Sequence, residues 1–95
     1  MATFSARDAD NILKNLNATT QRAGGHIVGI VHVTDNHRVR LMRSRQTGDQ
    51  PSFVFNKWKQ TLRLSNEEMR DCAQGRLKGE AALQLIRNRL GLSDG

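Results

Sequence analysis

Apolar residues recur at helical spacing over Ala9, Ile12, Leu13, Leu16 and Thr20, crowd into two runs rich in valine and isoleucine within residues 26–45, and return to helical spacing after Ser65. The first pattern opens on Ser5 as N-cap with Asp8 in the first turn, and predicts a helix over residues 6–21. Gly24 and Gly25 then supply the positive φ that ends a helix and reverses the chain into His26.

The central runs flank Thr34-Asp35-Asn36-His37, and Asp-Asn suits the positive φ of a two-residue hairpin loop. With Thr34 facing His37, regular pairing sets Val33 against Arg38, His32 against Val39, Val31 against Arg40 and Ile30 against Leu41. Val28, Ile30, His32, Val39 and Leu41 then form the core face, leaving Ile27, Gly29, Val31, Val33, Arg38, Arg40 and Met42 on the other. A slip of one residue exchanges these faces, so the assignment depends on the turn.

Residues 46–52 contain Gly48 and Pro51 in a turn-forming composition and predict a mobile loop. Phe53-Val54-Phe55 is β-prone and is expected to add a third strand. In Leu64-Ser65-Asn66-Glu67-Glu68 the Ser65 hydroxyl and the Glu68 carboxylate can each reach the other residue's amide, a capping box. The helix it starts carries Met69, Cys72 and Ala73 to Gly75. After a bend, Glu80 opens a last helix with Ala82, Leu85, Ile86 and Leu90 on one stripe, ended by Gly91. The fold expected is α+β: an N-terminal helix, a short antiparallel sheet of two or three strands built on the hairpin, and two C-terminal helices, all within one domain over residues 1–95.

Ninety-five residues allow one modest core and no large cofactor pocket beside it. The single cysteine, Cys72, forms no internal disulfide. No apolar signal segment follows Met1, and no run approaches the roughly 20 apolar residues of a membrane span, which points to the cytoplasm. The charge is more telling. Arg22, Arg38, Arg40, Arg43, Arg45, Lys57, Lys59 and Arg63 face only Asp35 and Asp49, so the whole formal excess of +6 lies between residues 22 and 63 while the flanks cancel. A charge so localised suits a polyanion, because phosphate contacts draw affinity from focused charge and counterion release.

The candidate nucleic-acid contacts are therefore Arg38, Arg40, Arg43 and Arg45 of the hairpin with Lys57, Trp58 and Lys59 after the loop, where a ring among ammonium groups can stack on a base. Phe53 and Phe55 are expected in the core. The two C-terminal helices invite a helix-turn-helix reading. Two glycines in the connection weaken it, as do Arg87 and Arg89, which suit the negative end of the last helix. His26 and His32 lie about 20 Å apart on one strand, so a shared metal ion is not expected. No Walker loop, nucleophile elbow or dinucleotide fingerprint occurs, and no cofactor is implied.

These readings favour a small non-catalytic nucleic-acid-binding accessory or regulatory protein, with DNA and RNA both open and a homodimer allowed. Two alternatives stand beside it. One is a metal-independent ribonuclease with His26 as general acid or base and Arg45, placed opposite it, as charge stabiliser. The other is an interaction module whose basic surface meets an acidic protein.

Overall fold

A computed structural model describes residues 4–45 and 48–92. The order is α1 (Ala6–Asn15), β1 (Thr19–Ala23), β2 (His26–Thr34), β3 (His37–Ser44), α2 (Ser52–Leu62), α3 (Asn66–Gln74) and α4 (Gly79–Leu90). The strands form one antiparallel sheet in the order β1-β2-β3, so the class is α+β.

Helix α1 begins as its sequence implies. Ser5 Oγ accepts the Asp8 amide and Asp8 accepts the Ser5 amide, a full capping box. It stops well short of residue 21. Asn17 adopts φ 56°, its amide bonds to Lys14 O and the Ala18 amide to Leu13 O, the paired bonds of a Schellman ending. Thr19 to Ala23, expected as the last turns of the helix, instead form an edge strand that pairs with β2 through a Gly24-Gly25 turn, with Gly24 at φ 62°. Gly-Gly between two strands is a hairpin signal as much as a helix stop.

The β2–β3 hairpin forms, with Thr34 opposite His37, but its register departs from regular pairing. His32 lies opposite Arg38, Val31 opposite Val39, Ile30 opposite Arg40 and Gly29 opposite Leu41. Val33 is an extra residue in β2 between the His32 and Thr34 pairs. Neither Asp35 nor Asn36 takes positive φ. A two-residue loop without it does not match the twist of the strands it joins, and the bulge beside the turn absorbs the mismatch. The consequence is a correction of β2: Gly29, Val31 and Val33 face the core, whereas Ile30 and His32 face away with Arg38, Arg40 and Met42. Val39 and Leu41 remain inward.

Phe53-Val54-Phe55 is not a strand. It lies in the first turn of α2, where Val54, Trp58 and Leu62 fall on one buried stripe at spacings of four, and Phe53 is 68% exposed. The third strand is β1, and three helices, not two, follow the sheet. The loop before α2 is tied to the N-terminal segment: the Ala6 amide donates to Gly48 O at 2.7 Å and the Gln50 amide to Phe4 O at 2.6 Å. Gln46 and Thr47, part of the expected mobile loop, lie outside the described residues.

The helices supply one layer and the sheet the other. Leu13 of α1 lies against Gly29, where a Cβ would collide with it. Trp58 of α2 donates its Nε1–H to Met42 O of β3 at 3.0 Å, and Phe4 meets the rings of Phe55 and Trp58 edge-on. Helix α3, started by the Ser65–Glu68 capping box and ended by Gly75 at φ 83°, lies along α1, where Asn15 donates to Cys72 O at 2.6 Å. Helix α4 packs on β2. Among the described residues no helix is long and apolar enough to cross a membrane.

Candidate nucleic-acid interface

With the helices on the inner side, the outer face of the sheet is left to solvent, the common state of an antiparallel sheet with one buried side. Alternation from the observed register places Thr19, Gln21 and Ala23 of β1, His26, Val28, Ile30 and His32 of β2, and Arg38, Arg40, Met42 and Ser44 of β3 on it. Its middle is apolar: Val28 is buried between its partners Gln21 and Met42, Ile30 is half-buried between Thr19 and Arg40, and Met42 is 44% exposed. Its polar groups carry no carboxylate, and over residues 19–45 the sole acid is Asp35 in the turn.

The arginines divide into two groups. Arg43, on the inner face, is 6% exposed; its guanidinium grips Asp10 of α1 through Nε at 3.0 Å and Nη2 at 3.1 Å and donates to Ser44 O. Arg87 donates to Val33 O at 2.7 Å and pairs with Glu80, while Arg89 pairs with Glu68 at 2.8 Å and donates to Arg63 O. These side chains hold helices to the sheet and to each other. Arg38 and Arg40 are exposed, and among the described residues neither makes an ion pair or a hydrogen bond.

The expected contact set thus separates. Arg38 and Arg40 share the outer face, and Arg45 is exposed at its rim, with its amide on Gly25 O and its guanidinium on Gly24 O at 3.4 Å. Arg43 is committed inward. Trp58 is 1% exposed and offers no ring to a base. Lys57 is exposed on α2, and Lys59, half-buried, donates to Asn66 at 2.9 Å. His32, assigned to the core by regular pairing, is exposed on the outer face with its Nε2 3.4 Å from the Thr19 hydroxyl. Thr19, Gln21 and Ala23 of β1 and Val28, Ile30 and His32 of β2 are the face residues that pattern reasoning missed. The signals that could have found them are the β-branched Thr19-Thr20 pair ahead of Gly24-Gly25 and the bulge.

Of the two residues named for catalysis, Arg45 bonds through its amide and guanidinium to Gly25 O and Gly24 O, in the turn that leads into His26. His26 pairs with Ser44, not Arg45. His26 and His32 remain six residues apart on β2, about 20 Å at 3.3 Å per residue, too far to act on one phosphate. The helix-turn-helix reading fares similarly, since α3 packs on α1 and α4 on β2 rather than as a pair, and the arginines of α4 are engaged within the fold. Among the described residues no three His, Cys, Asp or Glu side chains gather as metal ligands. Cys72 is buried, and burial first, with Asp71 and Glu68 adding, pushes its thiol up to about 11.

A groove of about 630 Å³ opens on the helical side, floored by Phe4, Ile12, Phe55 and Met69 and edged by Asp8, Asp49 and Arg70. Its mixed charge suits phosphate less well than the acid-free sheet face. The chain matches no family model, no curated protein and no solved structure.

Proposed function

We propose that this domain is a non-catalytic nucleic-acid-binding protein, accessory or regulatory in role, that lays the outer face of its sheet on a polynucleotide. One observation carries the reading: the open face has no acid, and its two arginines, unlike Arg43, Arg87 and Arg89, make no ion pair or hydrogen bond among the described residues. Guanidinium groups left unpaired on the sheet suit a phosphate or base edge, because each offers a planar fork of donors for which no internal acceptor competes. Arg45 at the rim extends the patch. Cys72, kept as a buried thiol, suits a reducing cytoplasm.

Anisotropy titrations with labelled duplex DNA, single-stranded DNA and RNA at two salt concentrations test this. Arg38→Glu with Arg40→Glu is expected to weaken binding and flatten the log-log salt dependence by about 0.7 to 0.9 per lost phosphate contact. Arg43→Ala, once shown to be folded, should keep the parental slope. A parental slope in the double variant would remove the face from the account, and no binding to any polynucleotide would turn the proposal toward an acidic protein partner.

A further inference from the structure

We infer that His32, Arg38 and the Thr19 hydroxyl form one phosphate subsite on this face, and that filling it is coupled to protonation of His32; the inference rests on the reading of the face as a polynucleotide surface. The register places His32 of β2 directly opposite Arg38 of β3, both exposed, while Thr19 of β1 flanks the imidazole from the other side with its hydroxyl 3.4 Å from Nε2. Directly opposed residues have Cβ atoms about 4.5 to 5.5 Å apart, so the ring and the guanidinium can reach the same anion. The bulge brings the three together, since regular pairing sets His32 against Val39 on the core face.

Protonation changes what the ring offers. A neutral imidazole has one N–H, whereas the imidazolium donates from both nitrogens, one toward the Thr19 hydroxyl and one to a ligand. Nδ1 makes no hydrogen bond among the described residues. The imidazolium also sets a second positive charge opposite Arg38, and like charges directly opposite each other are unfavourable until an anion lies between them. The strands supply no such anion. On this face β3 turns Arg38 and Arg40 outward and β1 only Thr19, Gln21 and Ala23; His26 is six residues away on β2, His37 alternates to the inner side, and Asp35 is in the turn. A phosphate diester keeps its charge throughout the range where histidine titrates, so binding takes up a proton at His32 as pH falls through that range. His26, between Ala23 and Ser44, has no guanidinium opposite it and lacks this coupling.

The test measures affinity against salt for the full chain at about pH 8 and about pH 5.5, with an oligothymidylate strand and an adenine–thymine duplex, probes whose bases do not titrate in this range. The log-log salt slope of the parent is expected to steepen by about 0.7 to 0.9 at the lower pH, as one more phosphate is neutralised. His32→Gln should hold the shallow slope at both pH values and His32→Lys the steep one, while His26→Gln should respond as the parent does. Because the phosphate is shared, the losses from His32→Gln and Arg38→Gln at the lower pH should fall short of additive in the double variant. A parental slope that ignores pH, a pH response that survives in His32→Gln, or additive losses overturns the subsite while leaving the face as a polynucleotide surface. A loss in His32→Gln that is equal at both pH values assigns the ring to stacking on a base and likewise overturns the subsite. No binding of either probe at either pH overturns both inferences.

Discussion

Leu13 lies flat on Gly29, and that contact sets how closely α1 approaches the sheet. A methyl group at residue 29 would occupy space now held by the Leu13 side chain, which is itself buried and has little room to move. Gly29→Ala is expected to destabilise by about 1 to 3 kcal/mol, as overpacking does; an unchanged urea midpoint would show that Leu13 finds another rotamer. Arg87 acts at the opposite end of the hairpin. Its Nε–H meets the carbonyl of Val33, the residue left over by the bulge. Arg87→Met should cost about 1 to 3 kcal/mol, because a largely buried carbonyl loses its donor. Hydrogen exchange near residues 32–37 should quicken with it, and a cost in the range of ordinary surface changes would mean that the bulge holds itself.

At the scale of the element, the beginning of α3 is the most strongly determined. Ser65 Oγ accepts the Glu68 amide at 3.1 Å, and the Glu68 carboxylate accepts the Ser65 amide at 2.8 Å and pairs with Arg89 of α4. Ser65→Ala is expected to lower stability by about 0.5 to 2 kcal/mol while leaving the sheet face untouched. The Ser65 amide, helped by Arg89, holds the Glu68 carboxyl below its ordinary 4.5 despite some desolvation. A depressed folded pKa means that the contribution is complete above 4.5 and is lost as pH falls through the lowered folded value. Glu68→Gln should therefore show a shallower loss of stability on acidification below pH 4.5 than the parent; parallel urea midpoints from pH 7 downward would contradict this. Strand β1, by contrast, has five exposed residues and no buried face of its own, so its place is owed to its partner β2.

For the whole molecule, Cys72 reports on the integrity of the helical layer. It is buried against α1, and its thiol is held near 11. Since only the thiolate reacts, alkylation at pH 8 should be slow and should follow the opening of the fold, with rates rising in proportion to the unfolded population as denaturant is added. Fast labelling without denaturant would place α3 in a separately opening unit. The raised pKa also predicts that stability is kept up to about pH 9 and declines toward 11, because the unfolded thiol ionises first.

The local signals of this chain were sufficient wherever one residue and its neighbours decide the conformation. The caps at Ser5 and Ser65, the left-handed endings at Gly75 and Gly91, the extended runs around residues 34–37 and the outward position of Arg38 and Arg40 were all legible from residue type and spacing. What the sequence left undecided depends on contacts between distant segments. Leu16 and Thr20 continue a helical stripe as well as they flank a strand, and pairing of β1 with β2 decided between them. Phe53, Val54 and Phe55 suit a strand in isolation, yet the seat for Trp58 beneath Met42 requires a helix that brings Val54, Trp58 and Leu62 to one side. The bulge at Val33 turned His32 outward and Val31 inward, a choice carried by the twist of the assembled hairpin and by the donor Arg87 supplies from 54 residues away. Likewise the sequence placed the positive charge in the middle of the chain, but only packing separated Arg43, paired with Asp10 inside the fold, from Arg38 and Arg40, left open on its surface.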